Sequence, residues 1–287
     1  MLDIIITILG VLIIICIWIM IYDTNRFVVA EHTFTDKRIK KNCRGVVLAD
    51  LHNKCYGKDN IRLLTAIREC KPDFILIAGD ILTAKPGKNP DIALHFLKEL
   101  ASEYPIYYGN GNHEHRLKLY PEKYGKLGEE YEKALKELGI RLLGNTHVSL
   151  PEEGIAVYGS QIDRFYYKRF KVQYMSDDYM DELLGKPDDG QFNILLAHNP
   201  DYFPQYAKWG ADIVLSGHVH GGMVRIPFWG KGVVSPNVRL FPKYDGGIFK
   251  QGKCVMLLSR GLGMHTIPIR LFNPAEVLVI DFRQAEQ

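Results

Sequence analysis

Short apolar runs alternate with helically spaced apolar positions through the first half of the chain after residue 45. The runs predict buried strands at residues 46–49, 74–78 and 106–108. Apolar positions with helical spacing predict helices at residues 60–70, 91–100 and 129–138. This alternation predicts parallel strands joined by crossover helices, with functional residues at the carboxyl ends of the strands.

The pattern changes near residue 148, where short strands follow one another more closely. Strands are expected at residues 148–150, 155–157, 193–197, 213–215, 255–259 and 277–282. The first two have the spacing of a hairpin, so this half is expected to be richer in antiparallel strands. Two sheets packed face to face and covered by helices would accommodate both halves of the chain.

The segment at residues 4–22 is almost unbroken aliphatic sequence, interrupted only by Thr7 and Gly10. Its length suits one membrane-spanning helix. No Lys or Arg precedes it and no small-residue cleavage site follows it, so a retained anchor is favoured over a signal peptide. We expect an anchor at residues 1–22, a short linker and leading strand at 23–43, and one folded domain at 44–287.

Composition and charge indicate the compartment in which the folded domain lies and the kinds of partner that it binds. Hydrophobic residues make up 47% of the 287 positions, which suits a protein with a sizeable core, and the net charge of +3 does not indicate nucleic-acid binding. The five scattered cysteines are typical of free thiols in a reducing compartment. Basic residues follow the apolar span and predict a cytoplasmic domain on a single-pass anchor: Arg26, Lys37, Arg38, Lys40 and Lys41. The sequence indicates no protein partner.

Side chains that commonly bind metals follow five of the predicted strands. They are Asp50 and His52, Asp80, Asn112 and His113, His198, and His218 and His220. A His-x-His pair alone could be two solvated loop residues, but in an extended segment residues two apart point the same way, so both imidazoles are expected to converge on one point. Oxygen and imidazole ligands without cysteine suit Mn²⁺, Fe or Zn²⁺. Two such ions bridged by a carboxylate can clamp a phosphoryl group.

The motifs at these strand ends resemble the calcineurin-like metallophosphoesterase superfamily. They are Asp50-Leu51-His52, Gly79-Asp80, Gly111-Asn112-His113-Glu114, His198 and Gly217-His218-Val219-His220. The amino-terminal span, residues 197–201, Gly221-Gly222 and residues 259–263 further resemble the bacterial, membrane-associated YkuE-like branch. The order and spacing of the motifs match over nearly the whole chain after the span.

The resemblance implies an α/β/β/α sandwich with two divalent metal ions, Mn, Fe or Zn. It implies that the first ion is held by Asp50, His52 and His220. It implies that the second ion is held by Asn112, His198 and His218, with Asp80 bridging the two. In this family the residue at His113 contacts the phosphate and protonates the leaving oxygen, and we expect Glu114 to orient its imidazole and raise its pKa.

One position departs from the family pattern. The second motif often continues Gly-Asp-x-x-Asp, whereas here Thr83 stands at the last position and supplies no negative charge. Because the carboxylate at this position usually supports the metal site and is not itself a ligand, its loss casts doubt on the fine tuning of the site more than on activity. The competing hypothesis is a catalytically silent interaction module on the same fold, tethered to the membrane; loss of ligands is its expected mark, and none is lost here.

Two segments rich in aromatic and basic residues, 165–171 and 224–231, bear on the substrate. Each alone suits a buried aromatic cluster with solvated charges, but beside a short tether the pair suggests a membrane interface. We expect substrate contacts from Arg164, Arg225, Phe228 and Trp229. Some members of the resembled family cleave a UDP-linked acylated sugar, so a lipid-linked phosphoester or pyrophosphate is a hypothesis. Phosphomonoesters, phosphodiesters and pyrophosphates all remain open.

Overall fold

A computed structural model describes residues 1–236, 238–264 and 269–286. The α-helices are α1 Leu2–Thr24, α2 Ile61–Glu69, α3 Asp91–Ala101, α4 Asn112–Leu119, α5 Pro121–Tyr124, α6 Leu127–Glu137, α7 Tyr179–Leu184 and α8 Phe203–Trp209. The strands are β1 Phe27–Asp36, β2 Cys43–Leu48, β3 Phe74–Ala78, β4 Ile106–Gly109, β5 Arg141–Leu142, β6 Thr146–Leu150, β7 Ile155–Ser160, β8 Phe192–Ala197, β9 Ile213–Ser216, β10 Gly247–Gln251, β11 Cys254–Leu258 and β12 Ala275–Gln284. Short 3-10 turns lie at Lys58–Asn60, Arg164–Tyr167, Pro200–Tyr202 and His220–Gly222.

The first sheet has the strand order β1-β12-β2-β3-β4-β5. Strands β2 to β5 are parallel, as the alternation of strands and helices predicted. The last strand, β12, returns to this sheet and lies between β1 and β2, parallel to the former and antiparallel to the latter. The carboxyl ends of β2, β3 and β4 therefore meet at one edge of the sheet.

The second sheet has the order β10-β11-β9-β8-β7-β6. Its four central strands are parallel, and only the edge strands β6 and β10 are antiparallel to their neighbours. The second half of the chain is therefore richer in antiparallel pairs than the first, as expected, although the middle of its sheet is parallel. The hairpin spacing that suggested it is real but is confined to the edges, and longer connections containing α7 and α8 return the chain for parallel pairing.

The two sheets pack face to face, with helices on both outer faces. Leu76, Leu196 and Phe282 are typical of the buried side chains between the sheets. A second apolar cluster joins the outer face of the first sheet to α2, α3, α4 and α6, and a third joins the second sheet to α7 and α8. These layers confirm the α/β/β/α sandwich.

The amino-terminal helix α1 is long and apolar enough to cross a membrane, and its large apolar side chains are exposed. It ends at Thr24, and β1 begins at Phe27. The Asp23 carboxylate is buried, accepts a hydrogen bond of 2.9 Å from the backbone N–H of Asn273, and pairs with Arg26 at 2.9 Å. The end of the apolar helix is therefore fastened to the folded domain.

Candidate metal centre

The predicted metal-type side chains come together at the carboxyl edges of the two sheets. β2, β3 and β4 are neighbours in the first sheet, and β8 and β9 are neighbours in the second. Because parallel strands end at the same edge, the five loops that follow these strands lie side by side. The seven candidate ligands are all buried: Asp50, His52, Asp80, Asn112, His198, His218 and His220.

One cluster consists of Asp50, His52 and His220, whose potential ligand atoms lie within 4.8 Å of one another. The Nε2 atom of His52 is 3.9 Å from Oδ1 of Asp50, and Nε2 of His220 is 3.7 Å from the same oxygen. The cluster therefore joins a loop of the first sheet to a loop of the second.

A second cluster consists of Asp80, His198 and His218, again within 4.8 Å. Nε2 of His198 is 3.0 Å from Oδ2 of Asp80, and Nε2 of His52 is 3.8 Å from that oxygen. Asp80 thus faces both clusters, which is the position a bridging carboxylate requires.

Backbone carbonyls orient two of the imidazoles towards the centre. Nδ1 of His198 lies 2.7 Å from the Ala78 carbonyl oxygen, and Nδ1 of His220 lies 2.9 Å from that of Gly263. A carbonyl only accepts hydrogen bonds, so Nδ1 carries the proton in both rings. Nε2 then presents its lone pair to the centre, as a metal-binding histidine does.

His113 has the opposite arrangement. Its Nδ1 accepts a hydrogen bond of 2.9 Å from the backbone N–H of Ala84, so this nitrogen carries no proton. The ring proton of a neutral His113 therefore lies on Nε2. This tautomer suits a hydrogen-bond donor to a substrate better than a metal ligand.

The backbone has positive φ at five of the seven candidate ligands, namely Asp50, His52, Asp80, His218 and His220. This left-handed region costs a side-chain-bearing residue on the order of 1 kcal/mol, and such residues concentrate at functional sites. The expectation that His218 and His220 lie on an extended segment was wrong. Because the chain turns at both residues, their imidazoles enter different clusters rather than one point.

Two glycines allow the loops to approach the aspartates. A Cβ atom on Gly111 would lie 2.2 Å from Oδ1 of Asp80, and one on Gly217 would lie 2.5 Å from Oδ2 of Asp50. Any side chain at either position would displace a carboxylate. The glycines of these motifs are therefore required by close packing around the two aspartates.

Burial and neighbouring charges act in opposite directions on the titrating groups. Burial raises the pKa of the Asp50 carboxyl to about 7, against the charge of His198. Burial also tends to raise the pKa of Asp80. The positive charges of His198 and His113 outweigh this effect and hold the Asp80 pKa well below its usual range. The same attraction outweighs the burial of His198 and raises its pKa to about 10. A divalent ion would supply the positive charge that these protons supply in its absence.

Glu114 has contacts other than those expected. Its carboxylate accepts hydrogen bonds from the backbone N–H groups of Asp80, Ile81 and Gly111 and from the Tyr108 hydroxyl, all at 2.9 Å. Burial raises the pKa of Glu114 to about 7, and the charge of Asp80 adds to this effect. Glu114 therefore holds together the loops after β3 and β4. We expected Glu114 to orient the His113 imidazole, but its carboxylate makes the contacts given above. Nδ1 of His113 instead accepts the hydrogen bond from the backbone N–H of Ala84.

Thr83, at the position where the family often has a carboxylate, supports a ligand. Its hydroxyl donates to the carbonyl oxygen of His52 at 3.2 Å and lies 3.3 Å from Nδ1 of that ring. The departure from the family pattern thus preserves a contact to the imidazole while removing a charge.

The residues present fit a pair of divalent cations. Oδ1 of Asn112 is buried and has no hydrogen-bond partner within the described ranges. An orphaned buried oxygen is costly unless a cation or water satisfies it. Together with two carboxylates and four imidazoles, this oxygen makes a donor set that suits Mn²⁺, Fe or Zn²⁺.

The four predicted substrate residues lie in different places. Arg164 lines the cavity beside His113 and His218. Arg225 is half-buried and donates to the carbonyl oxygens of Gly221, Asp245 and Gly230, so it braces a loop and does not line this cavity.

Phe228 and Trp229 also lie outside the lining of that cavity. Both side chains are solvent-exposed, with relative exposures of 110% and 73%.

Two supporting residues were missed by sequence reasoning. Asn273 donates from Nδ2 to the carbonyl oxygen of His220 at 2.8 Å. Arg270 is fully buried and donates at 2.9 Å to the carbonyl oxygens of Arg260, Gly261 and Gly263. A charged residue within an apolar stretch was the only signal for Arg270, and nothing local pointed to Asn273.

Comparison with known proteins agrees with this geometry. A family model described as calcineurin-like phosphoesterase matches residues 44–222. The uncharacterized metallophosphoesterase YkuE of Bacillus subtilis is 28% identical over 88% of this chain and 84% of its own length. The uncharacterized metallophosphoesterase Cj0846 of Campylobacter jejuni is 27% identical over 85% of this chain, which spans 60% of that protein. The solved structure of TT1561 of Thermus thermophilus is 11% identical to this chain, with a TM-score of 0.48. The match covers 77% of this chain and 91% of that one.

We expect Asp80→Asn to abolish stable binding of metal. The substitution removes the charge that faces both clusters. The affinity for metal should therefore fall by more than the roughly 10–100-fold that follows loss of a hydrogen bond to a metal ligand. Elemental analysis of the full-length protein in detergent, after exposure to Mn²⁺, Fe²⁺ or Zn²⁺, measures it. Asp91→Asn, at the exposed start of α3, is the matched control. An Asp80→Asn protein that retains two ions would contradict the bridging role, and a wild type that retains none would favour the silent module.

Proposed function

The chain belongs to the calcineurin-like phosphoesterase family of metal-dependent phosphoester hydrolases, and we propose that it is a membrane-anchored enzyme that uses two divalent ions. The bond it hydrolyses is a phosphodiester, phosphomonoester or pyrophosphate bond. The observation that carries this proposal is the pair of buried His/Asp clusters, with Asp80 of one cluster 3.8 Å from His52 of the other. A non-catalytic module has no need of so many buried ligands or of positive φ at five of them.

The residues of this chain have separate tasks in the proposed reaction. Asp50, His52 and His220 would hold one ion, Asn112, His198 and His218 would hold the other, and Asp80 would face both. Two such ions would supply charge that clamps the phosphoryl group and lowers the pKa of a water molecule. His113 directs Nε2–H at the phosphate and the leaving oxygen. Glu114 keeps the loop that carries His113 in register with the loop that carries Asp80.

We expect His113→Ala to keep both ions and to lower kcat by about 10²–10⁴-fold on an unactivated alkyl phosphodiester, the range for loss of a proton donor. The loss should be smaller on bis(p-nitrophenyl) phosphate, because nitrophenolate leaves with little help. His115→Ala, two residues along the same helix and outside the cavity, is the control. Full activity of His113→Ala on the alkyl diester would contradict the role.

The proposed substrate is lipid-linked, and the contacts at the end of α1 support this. The backbone N–H of Asn273 donates a hydrogen bond to the Asp23 carboxylate. The side-chain amide of Asn273 donates another to the carbonyl oxygen of His220. The same side chain donates to the carbonyl oxygen of Met223 at 3.2 Å, where the loop carrying Phe228 begins. One residue therefore separates the end of the apolar helix from a metal ligand, so the centre lies close to the membrane surface if α1 spans it.

Phe228→Ser with Trp229→Ser tests the lipid contact. The matched substrates are glycerol 3-(p-nitrophenyl phosphate) and its diacylated form in mixed micelles. We expect kcat/KM to fall about 10²–10⁴-fold on the acylated substrate alone, because two apolar side chains of about 1.5–3 kcal/mol each no longer enter the lipid phase. Tyr174→Ser, another exposed aromatic residue that lies outside both aromatic and basic segments, is the control. Equal rates on both substrates before and after the change would remove the lipid hypothesis.

The proposed location of the domain is the cytoplasm. All five cysteines are free thiols, as a reducing compartment favours. Two of the basic residues after the span are engaged within the fold, since Arg38 pairs with Asp36 and Asp212, and Arg26 pairs with Asp23. The free thiols and the remaining lysines are therefore the stronger support.

Cysteine labelling tests this location. Cys55 is exposed, whereas Cys254 is buried and unsuited to labelling in the folded protein. We expect a membrane-impermeant maleimide to label Cys55 in permeabilised cells only, with Cys55→Ser as the control. Labelling of Cys55 in intact cells would place the domain outside.

A further inference from the structure

A basic cavity of about 670 Å³ opens directly beside the metal centre. Asn112, His113 and His218 form its border with the candidate ligands. Five cationic side chains line it: Arg116, Lys123, Arg164, Lys168 and Arg169. None of its described lining residues is acidic, so the cavity has one sign of charge throughout.

Aromatic rings, rather than carboxylates, face three of these five cations. Nζ of Lys123 lies 4.9 Å from the ring centre of Tyr120, and the guanidinium carbon of Arg164 lies 5.6 Å from it. Nζ of Lys168 lies 4.2 Å from the ring centre of Phe165. Within the described ranges, none of the five cations has a carboxylate within 4.0 Å. Their charge is left uncompensated.

Arg116 is the cation nearest in sequence to the centre, three residues after His113 on α4. Residues three apart on a helix share a face, so its side chain and the imidazole border the same space. Its Nε is buried and has no hydrogen-bond partner among the described residues. Lys118, on the same helix, instead forms an ion pair with Glu132 outside the cavity.

Five clustered cations repel one another, and a fold does not gain stability from them. In a cleft with low-dielectric walls they instead concentrate the field and attract an anion. Arg and Lys are the side chains that bind phosphate best, through charge-assisted hydrogen bonds. The cations lie on the side where His113 would meet the leaving oxygen, so the anion they attract is part of the leaving group.

We propose that this basic cavity binds a second phosphate group of the substrate, on the leaving-group side, and that the substrate is therefore a phosphoanhydride. Hydrolysis adds one water molecule across the P–O–P bridge. The hydroxyl joins the attacked phosphorus, and the bridging oxygen departs with its electron pair as part of a phosphomonoester. The remaining proton goes to that phosphate or to solvent. Such a leaving group needs its negative charge balanced more than it needs a proton, which is what the five cations supply.

This inference rests on the proposed phosphoesterase activity, and the test separates the two. Wild-type full-length protein, Arg116→Gln and Lys123→Gln are assayed with Mn²⁺ on CDP-glycerol, a soluble phosphoanhydride, and on bis(p-nitrophenyl) phosphate, which has one phosphate. CDP-diacylglycerol in mixed micelles tells a lipid-linked from a soluble source of the same diphosphate. Lys118→Gln is the matched control, and metal content and Tm check the folding of each variant.

We expect each cavity variant to lower kcat/KM on both CDP substrates by about 10–100-fold, as loss of a hydrogen bond to a charged group does. Rates on bis(p-nitrophenyl) phosphate should stay within about twofold. Calorimetry should show weaker binding of pyrophosphate to metal-free variants than to metal-free wild type. Equal losses on all substrates, or a wild type that cleaves bis(p-nitrophenyl) phosphate but neither CDP compound, would overturn the phosphoanhydride. No hydrolysis of any substrate would overturn the proposed function itself, and this inference with it.

Discussion

The buried carboxylate of Asp80 is the point at which the two halves of the sandwich meet. Its Oδ1 accepts the backbone N–H of His113 from the neighbouring loop, and its Oδ2 faces His198 from the other sheet at 3.0 Å. A charge this deeply buried is tolerated only when opposite charges and donors surround it. The loops after β3, β4 and β8 are therefore held by the same electrostatic requirement that the proposed metal ions would meet.

The metal centre is assembled under strain, and its surroundings hold it in place. Positive φ at five candidate ligands is unfavourable for residues with side chains. The strands before these turns are buried and paired, Glu114 binds four backbone N–H groups, and Arg270 binds four carbonyl oxygens. Each support removes a way for the loops to relax. Rigid loops keep the ligand atoms within reach of one another, which is what a preorganised centre requires.

Two features of the surroundings connect this chemistry to a cellular setting. Asn273 links the buried Asp23 at the end of the apolar helix to the backbone of His220. The basic cavity lies next to His113 and extends the centre beyond a single phosphate. An enzyme so built would take a substrate with a diphosphate from, or close to, a membrane surface.

The sequence by itself determined β2, β3 and β4 of the first sheet, the helices α2, α3 and α6, and the strand-end residues, because burial imposes a period on apolar positions that can be seen locally. It identified Asp50, Asp80 and His198 as candidates through motifs carried at those ends. The family resemblance had already assigned His218 and His220 to different ions, but only the tertiary structure shows the turns that send the two imidazoles into different clusters, since φ at a turn leaves no mark in an apolar pattern. The parallel pairing of β7, β8 and β9, and the contacts of Glu114 and Arg225, likewise depend on groups far apart in the chain. Asp23 shows this most plainly, because its partner Asn273 lies 250 residues away and no local signal connects them.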